Sequence, residues 1–377
     1  MAEATQLKSR HLTMMGLGSA VGAGLFLGVG LGIQISGTSV LISYAVAGAL
    51  IALVMWMLGE MAAARPSLGS FSTYAGQAFG HWARFTMGWI YWFMLIMVMG
   101  AEITGAAAII SNWFDIAPWI PALIAVAFAF GGIELVTIAA AESEDPAHNV
   151  ATAVRAIIVR IMIFYIGSIV VITMALPFSS IQDADVAADS PFTLVLAAAK
   201  IPFAAGFMEA IIALALLSAF NAQIYATSRL VFDMAKDHCA PGFFLKQNRA
   251  GSPINAVILS MVFAFASVGL QFWNPPGLLA FLFNAVGGCL LVIWFFIVAS
   301  FIKLHPQMRE NGELTELRVP GFPWLPWVTA AALGGLTLLM LFDPDARNQV
   351  ISVLILAAIL VVLSFVLPTG QRAEARR

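Results

Sequence analysis

The sequence predicts an all-α membrane protein with about ten transmembrane helices. The chain of 377 residues is 61% hydrophobic and only 10% charged, and its mean hydropathy is +0.93. An ordinary soluble domain is about 25% charged, so this chain has too few polar groups to cover its apolar surface in water. A transmembrane helix needs roughly 20 apolar residues, and the sequence contains several runs of that length.

Ten apolar segments are predicted to cross the bilayer. They cover residues 13–33, 38–63, 85–111, 118–141, 155–177, 203–228, 254–273, 277–302, 325–343 and 348–368. Residues 1–12 then form an N-terminal tail, residues 13–368 form one transmembrane domain, and residues 369–377 form a C-terminal tail. We expect no cleavable signal peptide, because the first eleven residues are polar and the next segment resembles a retained span.

The positions of the basic residues predict the orientation of the chain. With the N-terminus inside, all but two of the 18 lysines and arginines fall in inner segments, and the two exceptions are Lys200 and Arg347. Positively charged loops favour the cytoplasmic side, so both termini are predicted to be cytoplasmic. The short basic loops do not form the continuous basic surface of a nucleic-acid-binding protein, and no nucleic-acid partner is expected.

The first predicted span is unusually rich in glycine. Seven glycines lie between Gly16 and Gly32, and each interior glycine weakens a helix by roughly 1 kcal/mol relative to alanine. A stripe of small residues can serve close helix packing, but here the glycines occupy all faces of the helix, which favours a locally unwound stretch. The free N–H groups of such a stretch suit a carboxylate.

A second apolar span has a similar interruption at Gly131 and Gly132, shortly before Glu134. A pair of broken helices is the best sequence pointer to the substrate site of a transporter. A carboxyl group near the middle of the bilayer is costly and usually faces an interior cavity. Glu134 is therefore a functional candidate, although it is also suited to a structural role in which it pairs with polar groups of another span.

Three further polar residues within the spans are candidates for coupling transport to an ion. Glu102 is a candidate proton carrier, a partner for opened backbone, or a structural hydrogen-bonding group. Burial disfavours the charged form of a carboxyl group, which suits proton coupling by Glu102 or Glu134. Ser218 and Asn221 are suited either to binding an ion or to holding helices together.

No pattern in the sequence predicts a metal site, a cofactor or an enzyme. The five histidines show no ligand spacing, and there is no nucleophile–base pair, phosphate-binding loop or redox motif. A channel would need a continuous polar lining, which these spans do not provide.

Nine short stretches, taken in order, carry a family resemblance. They are Ser9–Met14, Ser19–Phe26, Met57–Met61, Gly69–Ala75, Gly88–Trp92, Gly132–Ser143, Arg160–Tyr165, Asn221–Arg229 and Ala240–Pro241. Together they resemble the amino acid permeases of the amino acid-polyamine-organocation superfamily, and most closely the bacterial family of GABA, proline and aromatic permeases. The resemblance implies a LeuT-like fold of two inverted five-helix repeats, each of which begins with a discontinuous helix.

The resemblance also implies where a substrate binds. In such permeases the substrate carboxylate meets the first broken helix, and its amino group meets backbone carbonyls of the second. The residues that match these two segments are Ala20, Gly22, Ala23 and Gly24 in the first and Phe128, Phe130, Gly131 and Gly132 in the second, with Glu134 at the gate. The stretch from Glu134 to Ser143 is similar to the GABA permeases, which hints at that or a related amino acid.

The chain departs from its family in one large way. Relatives have twelve spans, whereas ten are predicted here. The segment Pro118–Val126 resembles the relatives' fourth span, and from about Ala127 the sequence resembles their sixth. The intervening part is missing, which leaves one fused span over 118–141. Loss of two spans preserves the topology downstream, but the first repeat is incomplete, because the missing fifth span normally packs against the first and the eighth.

The sequence therefore predicts a multi-pass permease of the bacterial inner membrane that carries an amino acid by alternating access. A proton is the expected driving ion, through Glu134 or Glu102, and sodium coupling through Ser218 and Asn221 is the lesser alternative. A function of another class is a degenerate permease that binds a ligand or a partner without transport. Binding without saturable accumulation would distinguish it. The oligomeric state is left open.

Overall fold

A computed structural model describes most of the chain. The described residues are 22–65, 70–114, 161–182, 189–248, 251–273, 275, 277–314, 317–342 and 344–367. Within these ranges the only extended pairing is an isolated antiparallel bridge between Gln247 and Pro253. The predicted fused span at 118–141 lies outside the described residues, as do both predicted tails.

The described part of the chain is a succession of α-helices. In chain order they are α1 (Ala23–Phe26), α2 (Gly28–Ser36), α3 (Val40–Ala64), α4 (Ser70–Phe79), α5 (His81–Phe114), α6 (Gly167–Ala175), α7 (Phe178–Gln182), α8 (Pro191–Ala198), α9 (Ala204–Lys236), α10 (Ile254–Trp273), α11 (Leu278–Glu310), α12 (Trp324–Met340) and α13 (Pro344–Val366). A short π-helix, Ile161–Ile166, leads directly into α6.

Several helices are long and apolar enough to cross a membrane. Five such segments are Ala23–Ala64, His81–Phe114, Ala204–Lys236, Leu278–Glu310 and Arg347–Val366, and two shorter apolar helices are Ile254–Leu270 and Trp324–Met340. The segment Ala23–Ala64 overlaps two predicted spans, 13–33 and 38–63, and each of the others overlaps one. Helices α9 and α11 continue about two turns beyond the predicted ends. Hydropathy marks only the part of a helix that lies in hydrocarbon, and these two helices continue with polar residues past that limit.

Helix α5 lies at the centre of the described bundle. It is the most buried of the five long apolar segments, and it packs against α9, α10, α11 and α13. Its large apolar side chains, including Met99 and Ile103, form a core cluster with residues of α9 and α10. A polar side chain in the middle of this helix is therefore enclosed by protein rather than by lipid, and Glu102 is such a side chain, with only 3% of its surface exposed.

Close packing at Gly105 fixes α5 against its neighbours. A Cβ atom added at Gly105 would overlap Cδ1 of Leu27 and would lie 3.1 Å from Cδ1 of Leu216 on α9. Both leucines are fully buried, so neither has room to move. The glycine therefore allows α5 and α9 to meet Leu27, the residue between α1 and α2.

The substitution Gly105→Ala is expected to destabilise the protein. Overpacking a filled core costs typically about 1–3 kcal/mol, which outweighs the roughly 1 kcal/mol that alanine gains over glycine inside a helix. Thermal unfolding in detergent measures the effect as a lower midpoint. Gly287→Ala in α11 is the matched control, because an added Cβ there meets no atom within 4 Å. Equal midpoints for the two variants would contradict the packing argument.

Polar contacts tie the helices together at the end of the bundle where α3 and α11 finish. Arg65 forms an ion pair of 2.6 Å with Glu313, and Tyr74 donates a hydrogen bond of 2.8 Å to the carbonyl oxygen of Arg65. The hydrogen bond from Arg65 holds the pKa of the Glu313 carboxyl below its ordinary value. Arg84 donates hydrogen bonds to Thr73 and Asp237, and thereby joins α4 and α5 to the residue that follows α9.

Candidate functional site

The described part of the first transmembrane segment begins at Gly22, next to a helix N-terminus. Gly22 has an extended backbone, with φ −139° and ψ −153°, and it precedes the four-residue helix α1. Leu27 then forms a turn before α2 begins at Gly28. The described part of the predicted opening, from Gly22 to Gly24, thus contains the point at which extended chain becomes helix. Ala20, the remaining residue of the predicted segment, lies outside the described residues.

The carboxyl group of Glu102, from α5, lies at the N-terminal end of helix α1. The backbone N–H of Ala23 donates to both carboxyl oxygens of Glu102, with N···O distances of 3.1 Å to each. Ala23 is 1% exposed, so water has almost no access to this contact. A buried amide that lacks a partner within its own helix needs an acceptor from elsewhere. Glu102 supplies that acceptor from a position 79 residues away in the sequence.

Of the two glycines beside Ala23, Gly22 alone leaves room that its neighbour requires. A Cβ atom added at Gly22 would overlap Oε1 of Glu102, and a Cβ at Gly24 would lie 3.7 Å from the hydroxyl oxygen of Tyr165. The first glycine is therefore required by the close approach of the carboxyl group. The second faces the hydroxyl at ordinary van der Waals distance.

Tyr165 and Tyr44 are residues of this site that sequence reasoning missed. The ring centroids of the two tyrosines are 6.2 Å apart. Tyr165 lies in the π-helix that precedes α6, and π-helical turns are frequent at functional sites. The one available signal was its place in the stretch Arg160–Tyr165, which carries the family resemblance but assigns no role to the tyrosine. Spacing along the chain could not reveal that residues 44 and 165 meet.

Aromatic side chains surround the helix that follows the opening. The ring of Phe26 contacts the ring of Phe192 edge to face, with centroids 5.3 Å apart, and the ring of Phe283 lies 3.8 Å from a Cβ position at Gly28. The hydroxyl of Ser190 donates a hydrogen bond of 2.7 Å to the carbonyl oxygen of Phe26. Segment 189–198 and helix α11 therefore each place one aromatic ring against the first segment.

Of the other predicted site residues, the structure describes only Ser218 and Asn221. Ser218 and Asn221 lie one turn apart on α9, where Ser218 is exposed and Asn221 is half-buried. An ion site at these two residues stays a prediction. The second predicted binding segment, with Phe128, Phe130, Gly131, Gly132 and the gate residue Glu134, lies outside the described residues. Among those that are described, no group of three or more His, Cys, Asp or Glu side chains could hold a metal ion.

Comparison with known protein families identifies the family of this chain. The profile of the amino acid permease family matches residues 11–127 and 114–369 of this chain. The two matched pieces meet at 114–127, which overlaps the start of the predicted fused span. The match therefore covers almost the whole chain and divides it where the sequence predicts that spans are missing.

Sequence comparison finds relatives along nearly the full length. The chain is 51% identical to the aromatic amino acid transport protein AroP of Corynebacterium glutamicum, over 96% of this chain and 95% of that protein. It is 30% identical to the gamma-aminobutyric acid permease of Bacillus subtilis and 31% identical to that of Escherichia coli, and these alignments cover at least 93% of this chain and 91% of each permease.

The length of the alignment also gives a minimum size for the internal gap in this chain. The alignment with the Corynebacterium protein extends over 438 positions, although this chain has only 377 residues. At least 61 positions of the relative therefore have no counterpart here. Two spans of roughly 20 residues each, with their loops, account for a gap of this size, in agreement with the predicted internal deletion.

Solved structures show the same architecture at low sequence identity. The crystal structure of the manganese transporter of Eremococcus coleocola, in complex with an aromatic bis-isothiourea substituted compound, has a TM-score of 0.55 and 13% identity, and covers 95% of this chain and 92% of that chain. At an identity this low, the similarity is evidence for the fold only. The predicted fold class, an all-α polytopic membrane protein of LeuT-like architecture, is confirmed.

Proposed function

Because the chain belongs to the amino acid permease family, we propose that it carries an amino acid across the cell membrane by proton symport and alternating access. Its relatives are transport proteins rather than enzymes. The observation that carries the proposal is the contact between the Ala23 amide and the Glu102 carboxyl group. It brings a backbone donor that has no partner within its own helix together with a titratable group inside the membrane domain.

The amide of Ala23 is suited to the carboxylate of a substrate. It already donates to one carboxyl group, that of Glu102, in a position that excludes water. A hydrogen bond from a backbone N–H to a carboxylate is stronger than one to a neutral acceptor. The substrate carboxylate can therefore compete for the Ala23 N–H once the hydrogen bond from this N–H to Glu102 weakens.

Protonation of Glu102 weakens this hydrogen bond. A neutral carboxylic acid is a poorer acceptor than a carboxylate, and its neutrality removes the repulsion that would meet a second negative charge in a buried site. The proton and the substrate then favour each other's binding. Such coupling is reciprocal, which is the thermodynamic requirement for symport. Glu134 is the second candidate for this role.

The proposed substrate is an amino acid with an aromatic side chain. The support is the 51% identity to a protein named as an aromatic amino acid transporter, together with the aromatic rings of Phe26, Phe192 and Phe283 around the first helix. The GABA permeases are more distant, at 30% and 31% identity, although the stretch Glu134–Ser143 resembles them.

Uptake into proteoliposomes tests this function. With an alkaline interior, we expect saturable accumulation of labelled phenylalanine, tyrosine or tryptophan, with GABA as the comparison substrate, and we expect a protonophore to abolish the accumulation. Binding without accumulation would instead indicate the degenerate permease, an alternative that no comparison supports. Accumulation that required sodium and did not depend on pH would instead support sodium coupling through Ser218 and Asn221.

The proposed location is the inner membrane of a bacterium, with both termini in the cytoplasm. The relatives named above are bacterial proteins, and the bias of basic residues along the sequence supports the orientation. Reporter fusions at the C-terminus test it: a cytoplasm-active reporter should function there, and a periplasm-active reporter should not.

A further inference from the structure

One position of the first segment is accessible from outside the packed protein. Gly24 is exposed, whereas its neighbours Gly22, Ala23 and Leu25 are buried. Gly24 lies near the middle of the first predicted span, and the atom that faces it is polar, because the hydroxyl oxygen of Tyr165 lies 3.7 Å from a Cβ position there. A hydroxyl group that faced hydrocarbon at this depth would be costly. The exposed surface at Gly24 is therefore better suited to a polar ligand than to lipid.

Neighbouring helices support the ring of Tyr165. This residue lies in the π-helix Ile161–Ile166, and its ring packs against the ring of Tyr44 on α3, with centroids 6.2 Å apart and an interplanar angle of 32°. The ring of Tyr44 in turn lies 3.6 Å from a Cβ position at Gly32 of α2. These contacts hold the ring of Tyr165 while its hydroxyl group faces Gly24. A group that is held in place loses little further freedom when a ligand binds.

The chemistry of the hydroxyl group suits a carboxylate. A phenol is a hydrogen-bond donor that stays neutral at physiological pH, and Tyr165 is near enough to Glu102 to interact with it electrostatically. In the proposed function the substrate carboxylate takes the place of Glu102 at the Ala23 N–H. A carboxylate has two oxygens, and both need donors where water is excluded. The Tyr165 hydroxyl, which faces the residue directly after Ala23, is placed to serve the second oxygen.

We propose that Tyr165 recognises the substrate, with its hydroxyl group donating a hydrogen bond to one carboxylate oxygen while the Ala23 N–H donates to the other. This inference rests on the proposed function and adds the residue that selects a free carboxylate over an uncharged amide or ester. The selection follows because a hydrogen bond to a charged acceptor is roughly twice as strong as one to a neutral acceptor.

Binding to the purified full-length protein tests the contact. Labelled phenylalanine measures the Kd of the amino acid, and competition by phenylalaninamide measures the Kd of the same molecule with a neutral amide in place of the carboxylate. We expect Tyr165→Phe to weaken the binding of phenylalanine by about ten-fold or more, because the contact that is lost is to a charged group. The Kd of phenylalaninamide should change by about three-fold at most, since its oxygen is neutral.

Tyr44→Phe is the matched control. It removes the same hydroxyl group from the neighbouring ring, none of whose atoms lies within 4 Å of a Cβ position at Gly24. This variant should bind phenylalanine as wild type does. Thermal unfolding midpoints check that both variants are folded.

The possible outcomes separate this inference from the proposed function. If wild type transports and Tyr165→Phe binds phenylalanine with an unchanged Kd, the role of Tyr165 is refuted and the proposed function stands. An equal loss of affinity for phenylalanine and for phenylalaninamide would also refute it, as would an equal loss in Tyr44→Phe, since either result would show only a disturbed ring pair. If wild type binds no amino acid saturably, the proposed function fails, and this inference fails with it.

Discussion

Replacing Glu102 with glutamine is expected to abolish proton-driven accumulation while leaving substrate exchange intact. Each unit of pH gradient is worth 1.36 kcal/mol per proton, which corresponds to about a ten-fold accumulation of substrate. Glutamine cannot carry that proton. Its amide oxygen can still accept from the Ala23 N–H, and it resembles the protonated acid in having no charge. Substrate should therefore still bind and cross the membrane, but only to equilibrium.

Two uptake measurements on proteoliposomes separate these effects. With an inside-alkaline gradient of one pH unit, wild type should approach about ten-fold accumulation and Glu102→Gln should show none, whereas counterflow exchange should proceed in both. Glu209→Gln is the matched control, because Glu209 accepts a hydrogen bond from Trp113 Nε1 at the end of α5 and forms no hydrogen bond or ion pair with the described residues of the first helix. If Glu102→Gln accumulated substrate as wild type does, Glu102 would not be the carrier, and Glu134 would be tested next.

The fold class could be predicted from the sequence because the bilayer restricts the possible structures. Every backbone polar group in hydrocarbon must be satisfied internally, so long apolar runs imply helices, and the helices lie where those runs are. The ends of α9 and α11 could not be predicted in this way. Beyond the hydrocarbon, helix length depends on local polar contacts, such as the ion pair between Arg65 and Glu313 near the end of α11.

The candidate site was predictable only in part, for a related reason. The crowding of glycines on all faces of the first span favoured a local opening over a stripe for close packing, and in the structure helix α1 begins at Ala23, directly after Gly22. The composition left three roles open for Glu102, and only the three-dimensional packing of α5 against the first segment shows that its carboxyl group meets the Ala23 amide. Contacts between distant segments leave no periodic signal, and for the same reason Tyr44 and Tyr165 were missed.

Replacing Gly22 with alanine is expected to impair every mode of transport, which distinguishes it from the glutamine variant at position 102. The added methyl group would overlap Oε1 of Glu102 and force the carboxyl group away from the Ala23 amide. Overpacking of this kind costs typically about 1–3 kcal/mol, so both uptake and counterflow exchange should fall by about ten-fold or more. The loss differs from that in Glu102→Gln because the geometry of the site changes, and not only its ability to hold a proton.

A double substitution makes this prediction specific to the contact. Aspartate is shorter than glutamate by one methylene group, so Gly22→Ala combined with Glu102→Asp should recover part of the exchange that Gly22→Ala loses, and a double-mutant cycle measures the coupling between the two positions. Gly48→Ala in α3 is the matched control, because an added Cβ there meets no atom within 4 Å, and it should transport as wild type does. Full activity of Gly22→Ala would mean that transport does not require the contact between the Glu102 carboxyl group and the Ala23 N–H. Strictly additive losses in the cycle would mean the same.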